Sequence, residues 1–292
     1  MPAIEISHEL ELNPELPDDI MKIAAKQGED PGTKCELIQQ LRDMIYEKGE
    51  CTPHRTDDEY LIKFLRARFW RVGLAYKLLC RYCEFREANR ELHEKVRPLD
   101  MTILGEEDII QVTPYRDQLG RRISIYTIGN WKPNKLSIDE IFKATLIMLE
   151  IGSLEPTTQV VGGVGVFDLR GLSFNHVPRL TPSVAQKMIS LMVTSMPTRT
   201  TALHIVNQNW VFNAAFQIFK PFLSSRMREK IFVHGSDMSS LHKHIHPEHL
   251  PIRYGGCNPD YPYSLWIENL AKNEKVIKEL EQLGYVLDSK ET

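Results

Sequence analysis

Val160-Val-Gly-Gly-Val-Gly-Val-Phe-Asp-Leu169 is a short apolar run, rich in valine and punctuated by glycine, and it reads as a strand. What surrounds it decides the fold. Upstream, Ile138 to Ser153 has helical spacing. Downstream come a helical Pro182 to Thr194, a short strand Leu203 to Asn207, a helical Val211 to Lys230 and a strand Ile231 to His234. Strand and helix alternating in this way predict an α/β fold with a mainly parallel sheet covered by helices. Ahead of this series, Ile109 to Pro114 and Arg122 to Ile128 are β-rich, and Arg116-Asp-Gln-Leu-Gly-Arg121 between them reads as a hairpin turn, so the sheet is mixed.

Further out, the chain is helical at both ends. Thr33 with Glu36 has the pattern of a capping box ahead of Leu37, Ile38, Leu41, Met44 and Ile45. Asp57 and Asp58 suit a helix N-terminus, with Leu61, Phe64 and Leu65 on one face. A third helix carries Leu74, Ala75, Leu78, Leu79, Tyr82 and Phe85. From Tyr261 the pattern predicts one amphipathic helix through Leu265, Ile267, Leu270, Val276, Ile277, Leu280 and Leu283. The organisation expected is a helical region over 1–103, the sheet-containing domain over 104–260, and a C-terminal helix and tail over 261–292.

Composition narrows the function. The 292 residues carry 36 Lys and Arg against 39 Asp and Glu, a net charge of −3, which argues against a general nucleic-acid binder. The acidic start Met1-Pro-Ala-Ile-Glu-Ile has no basic end and no apolar run, so no signal peptide is expected, and Ala144 to Leu154 is too short to span a bilayer. Five cysteines give no paired framework. Cys80 and Cys83 form a C-x-x-C within a helix, lack a second ligand pair, and read as buried or half-buried thiols. A cytoplasmic protein is expected.

Several motifs invite a sharper reading. Gly162, Gly163 and Gly165 lie inside the strand instead of after it, and no G-K-[ST] follows, which excludes a phosphate loop; they leave room for a ligand or for a tightly packed helix. His242, His244, His246 and His249 offer imidazoles, but Pro247 and Pro251 break regular structure there and a solvated loop is expected, with no metal. No G-x-S-x-G or H-E-x-x-H is present and no close carboxylate pair lies at an obvious strand end, so no catalytic residue is assigned, and Asp168 is read as a structural carboxylate accepting backbone or Arg hydrogen bonds. The segment Asn207 to Lys230 joins Trp210, Phe212, Phe216, Phe219 and Phe222 to the basic run Ser224-Ser-Arg-Met-Arg-Glu-Lys230. Apolar bulk beside cations suits an anionic membrane surface, and Arg226 and Lys230, four apart, would share one helical face.

Five motifs in order carry a family resemblance: Tyr60-Leu-Ile-Lys-Phe-Leu-Arg-Ala-Arg68, Val166-Phe-Asp-Leu-Arg-Gly171, Leu203-His-Ile-Val-Asn207, Lys220-Pro-Phe-Leu223 and Leu250-Pro-Ile-Arg-Tyr-Gly-Gly256. The chain resembles the CRAL-TRIO lipid-binding family, in the branch of α-tocopherol transfer protein and cellular retinaldehyde-binding protein. The resemblance implies a helical N-terminal region followed by an α/β domain that encloses a lipid pocket. It carries the pocket onto Phe142, Thr145, Leu149, Phe167, Leu191, Met192, Met196, Leu203, Phe219 and Leu223, with Met148 and Met188 adding adaptable thioether walls. The gate falls on Val211, Phe212, Phe216, Phe219, Phe222 and Leu223. The family's phosphoinositide cluster falls on Arg68, Arg199, Arg226 and Lys230, with Thr201 at a further basic position. Thr145 keeps a hydroxyl where the tocopherol carrier has serine, whereas Leu149 replaces a second serine.

The function expected is a carrier that binds one hydrophobic small molecule, tocopherol-, retinoid- or isoprenoid-like, and moves it between membranes with phosphoinositide-assisted gate opening. No cofactor is expected beyond the lipid, and no enzymatic activity. The partners are the ligand and a phosphoinositide-containing membrane surface, touched peripherally by a monomer. A lipid-sensing adaptor that reports occupancy to a protein partner is the alternative.

Overall fold

The computed structural model describes residues 10–287; the acidic start at 1–9 and the last five residues, 288–292, lie outside the described residues. Four helices open the chain: α1 (Asp18–Lys26), α2 (Lys34–Lys48), α3 (Asp58–Ala67) and α4 (Val72–Ala88). Asp57 caps α3, its side chain accepting from the Tyr60 N–H at 3.0 Å. The capping box expected at Thr33 does not form: the Thr33 hydroxyl turns back to Asp30 Oδ2 at 3.4 Å, and Glu36 accepts from Gln40 instead. Leu74 departs from its helix's apolar face and is 41% exposed. The Cys51 thiol sits against those of Cys80 and Cys83, and burial first pushes the Cys83 thiol up to about 11.

A short helix α5 (Ile103–Glu106) leads into the hairpin β1 (Ile110–Arg116) and β2 (Arg122–Thr127). Asp117 builds the turn, its Oδ1 accepting from the Leu119 and Arg121 N–H groups at 2.9 and 2.8 Å. Next come α6 (Ile138–Gly152), α7 (Pro156–Val161), β3 (Gly163–Asp168), α8 (Pro182–Ile189), β4 (Thr200–Val206), α9 (Val211–Phe219), α10 (Ser225–Arg228) and β5 (Ile231–Gly235). After α11 (Met238–His242), the tail folds as α12 (Tyr263–Leu270) and α13 (Glu274–Gln282). The five strands lie in the order β1-β2-β3-β4-β5; the first pair is antiparallel and the other three pairings are parallel. The α/β class and the mixed, mainly parallel sheet are as the sequence predicts.

Three boundaries differ, each for a local reason. Val160 and Val161 end α7 instead of opening β3, because Gly162 takes a left-handed φ of +80° and a Cβ there would meet the Arg199 carbonyl oxygen at 2.4 Å. The helix expected over Val211 to Lys230 stops at Phe219. Pro221, which has no N–H to donate, follows in a tight turn, and Ser224 then caps α10. The tail is two helices, since Asn273 accepts from the N–H groups of Lys275 and Val276 and starts a new one; Leu265 is left half exposed.

Side chains alternate across the sheet. Ile123, Ile125, Val164, Val166, Ala202 and Val206 pack beneath it on Leu241, Ile245, Leu250 and Tyr254. The opposite face, with Tyr126, Phe167, Leu203 and Ile205, floors the site described next.

Candidate lipid-binding site

Between α6 and the upper sheet face lies a cavity of about 170 Å³ with almost entirely apolar walls. Parallel register sets its floor: Tyr126, Phe167 and Ile205 are neighbours across β2, β3 and β4, and the Tyr126 and Phe167 rings stack at 4.9 Å. One face of α6 forms the second wall through Ile138, Ile141, Phe142 and Thr145, at i, i+3 and i+4 spacing. The third wall comes from Met188 and Ile189 on α8 and from Leu191, Met192 and Val193. These last three lie in a π-helical stretch, Ser190–Ser195, where the continuous helix expected as far as Thr194 widens. The only hydroxyls among the lining residues, those of Tyr126 and Thr145, are bonded to each other at 3.1 Å.

The outer wall is α9. Phe212, Ala215, Phe216 and Phe219, with Leu223 beyond, line the cavity at helical spacing, while Asn213, Ala214 and Gln217 face solvent. Exposed aromatics border it: Trp210, just before α9, packs edge-to-face on Phe174 at 4.5 Å, and both are more than half exposed.

Of the pocket positions carried by the resemblance, Phe142, Thr145, Phe167, Met188, Leu191, Met192, Leu203, Phe219 and Leu223 line this cavity. Met148 and Leu149 do not; they sit on the next turn of α6, against a smaller cavity that Met192 also lines. Met196 lines neither, because the chain leaves the π-helical stretch there in extended backbone and buries its side chain in the general core. Two gate positions also fall away from the cavity. Val211 is buried in the core at the start of α9, and Phe222 leaves the apolar stripe in the turn after Pro221. Sequence reasoning passed over Tyr126, Ile205, Ile138 and Ile141. The first two follow from pairing β2 and β4 with Phe167, the others from stepping back along α6 from Phe142.

The four cations come together at the other end of the sheet. Burial, and then the charges of the other three, lower the pKa of Lys230; burial, then Arg81 and Arg226, lower that of Arg68; burial, then Arg68, lower that of Arg199. Arg199 lies over the Phe69 ring at 4.7 Å and donates to Gln27 Oε1 at 3.2 Å and to the Val160 carbonyl. Phe69 and Trp70 hold left-handed φ values of +53° and +58°, a costly backbone that sets the Phe69 ring beneath the guanidinium. Lys230 Nζ donates to the Thr200 carbonyl at 3.1 Å. Among the described residues no carboxylate pairs with any of the four, and mutual repulsion favours an incoming polyanion. Thr201 donates to the Gly163 carbonyl at 2.9 Å. Lys230 lies two residues past the end of α10, so it and Arg226 are brought together by the turn into β5 and not by a shared helical face.

The other motifs serve structure. Asp168 Oδ1 accepts from the Arg170 N–H and from Asn207 Nδ2, both at 2.9 Å, so its side-chain partner is an amide instead of an Arg. A Cβ on Gly165 would meet Leu203 and Phe167 side-chain atoms at 3.1 and 3.2 Å, so this glycine admits those side chains, and with Gly163 it also lines the smaller cavity. The histidine run is not one solvated loop. His242 bonds the Tyr254 carbonyl, His244 packs on His204 and Phe232 under the sheet, and His246, Glu248 and His249 group at the surface.

A sheet with one antiparallel edge, helices over an apolar trough and a helical N-terminal region define a lipid-binding α/β domain of the CRAL/TRIO kind. The CRAL/TRIO domain profile matches residues 106–256. Clavesin-1 of Rattus norvegicus is 34% identical over 256 residues, 87% of this chain and 72% of the relative. Clavesin-2 of Homo sapiens is 32% identical over 260 residues, 88% and 80% of the two chains. The crystal structure of Sfh5 shares the fold, with a TM-score of 0.51 at 18% identity, covering 86% of this chain and 99% of the other. The chain belongs to the CRAL/TRIO family, and with it to the lipid-binding transfer proteins. Among the described residues no helix is long and apolar enough to cross a membrane.

Proposed function

We propose that the protein carries one tocopherol-, retinoid- or other isoprenoid-like lipid between membranes, and that phosphoinositide contact opens its gate. The single observation that supports this reading most is the pairing of an almost entirely apolar cavity, closed by α9, with a cluster of four cations at the other end of the sheet that no carboxylate among the described residues pairs. Burial at about 25 cal/mol per Å² lets a long polyene or prenyl chain gain on the order of 10 kcal/mol. The same energy retains it. Phe212, Phe216 and Phe219 are each partly buried, and swinging them fully into water costs at most roughly 1.5–3 kcal/mol each, so the gate stays shut in solution. A bilayer interface accepts those rings and offsets the cost, while Arg68, Arg199, Arg226 and Lys230 hold polyphosphate head groups.

Transfer of a fluorescent retinoid between vesicles tests both parts. Adding a phosphoinositide to the acceptor vesicles is expected to speed transfer at least several-fold, and Arg68→Ala with Arg226→Ala, neither of which lines a cavity, to abolish that stimulation while leaving lipid binding in solution intact. Stimulation unchanged in the double variant removes the electrostatic half of the proposal. Ligand-dependent capture of a protein partner without any transfer turns the reading to an adaptor.

A further inference from the structure

The smaller cavity beside Met192, about 70 Å³, shares its helix, its sheet and Met192 itself with the large one. On α6, Ile138, Ile141, Phe142 and Thr145 line the large cavity, and Met148, Leu149 and Gly152 line the small one. These seven positions step at i+3 or i+4 and form one continuous stripe. The floor is continuous too. Tyr126 and Phe167 lie under the large cavity; two residues back along the same strands, Ser124 and Gly165 pair in register under the small one, with Arg122 and Gly163 two residues further back. Met192 borders both. Helix and sheet therefore bound a single trough along the strand direction, in which an unbranched, rotatable thioether is the partition.

The two ends differ chemically. The gate end is almost wholly apolar: the only hydroxyls among its lining residues, those of Thr145 and Tyr126, are bonded to each other, which leaves one O–H donor between them. The small end is lined by Glu155, Thr198 and Arg199 as well as by apolar groups. Glu155 is already held by Arg122 and Thr158. Thr198 donates to the Leu149 carbonyl at 3.1 Å. Arg199 is different: its Nε is buried and has no hydrogen-bond partner. A buried donor left unpaired destabilises the fold, and an acceptor on the ligand recovers that cost.

From this geometry we infer a second subsite, in which an elongated lipid lays its apolar body behind α9, passes Met192, and sets a terminal oxygen, best a carboxylate, at Arg199. The inference rests on the lipid-carrier reading, and it ties the cargo to the same cation that the membrane cluster uses.

Gly152 makes the test clean. A Cβ there meets nothing within 4 Å, its φ is not left-handed, and it sits in the last turn of α6 at the wall of the small cavity, so Gly152→Leu adds bulk at that wall without backbone strain. The probes are retinoic acid, long and ending in a carboxylate, and β-ionone, which has the same ring without the chain. Titration of the wild-type chain with each sets the baseline. Gly152→Leu is expected to weaken retinoic acid at least tenfold and to leave β-ionone within twofold. Arg199→Lys, which keeps the positive charge but loses Nε–H, is expected to weaken the acid alone by several-fold. β-Ionone binding with retinoic acid indifferent to Gly152→Leu overturns the second subsite and leaves the carrier reading standing. Retinoic acid indifferent to Arg199→Lys overturns the terminal contact. If the wild-type chain binds neither probe, the retinoid-like cargo is wrong and the subsite falls with it.

Discussion

His204 shows what burial does to a single side chain. It is fully buried on β4 beneath the sheet, with Nδ1 3.0 Å from His234 Nε2, the Phe232 and His244 rings against it, and Nε2 without a partner. His234 in turn bonds the Ser240 hydroxyl at 2.8 Å. Burial first, then the charges of His234, His244 and Arg121, depress its pKa to about 3. An unfolded histidine binds its proton near pH 6.5, so between there and about pH 3 the unfolded chain holds a proton that the folded one refuses. The stabilisation is complete above pH 6.5 and drains away as pH falls. Urea unfolding between pH 7 and 4 is expected to show this loss, and His204→Phe to flatten it by up to ~1.4 kcal/mol per pH unit. Parallel curves for the two proteins would show that His204 does not titrate this way. None of this was legible at His204 itself, which in sequence is one polar residue inside Leu203-His-Ile-Val-Asn207. Only strand pairing sets it against β5, and the four histidines downstream, which draw attention as a group, divide among three environments.

At the scale of the element, α9 is the most exacting piece. Nine residues are too few for a helix to hold itself in water, so its shape depends on what its apolar stripe covers. Phe216 lies near the middle of that stripe, against the cavity. Phe216→Asp puts a carboxylate into the closed gate and removes burial worth roughly 1.5–3 kcal/mol, so a bound retinoid is expected to escape about ten to a hundred times faster with no membrane present. Stopped-flow transfer to a soluble trap measures this rate; an unchanged rate would mean that α9 is not the barrier. The aromatic density of this segment was legible in the sequence and the family resemblance placed the gate on it, while each strand showed in its β-branched run. The helix ends were not legible. Pro221 stood in plain view, but whether a proline kinks a helix or ends it depends on the capping beyond, here Ser224 and its bond from the Met227 N–H. Met148 and Leu149 lie on the helical face that the sequence indicates, but a partition made by Met192, far along the chain, decides which cavity they meet.

Across the whole molecule the pocket domain and the helices before it share one interior. A continuous apolar cluster runs from Ile38 through Phe64 and Leu79 to Ile147, Leu191 and Tyr285. Inside it, Glu150 on α6 is 1% exposed and accepts from the Tyr82 hydroxyl at 2.8 Å and from Arg86 at 2.9 Å, both on α4. Arg86 also donates to the Leu283 carbonyl, and the Lys95 and Val286 N–H groups pair the tail with the segment after α4. A buried ion pair adds little net stability, but separating its partners costs about 3–5 kcal/mol, so α4 cannot leave α6 without a large penalty. The sequence division into a helical region, a sheet domain and a tail therefore does not mark units that melt apart. Calorimetry is expected to give one cooperative transition whose calorimetric and van't Hoff enthalpies agree. A lipid bound in the trough lies mainly against the sheet domain, with Leu10 and Trp266 bordering only its small end, yet it should move that whole transition upward, by about 2.7 kcal/mol at a hundredfold excess over Kd. Two resolved transitions, with only one shifted by lipid, would show that the helical region is an independent neighbour and not a wall of the same core.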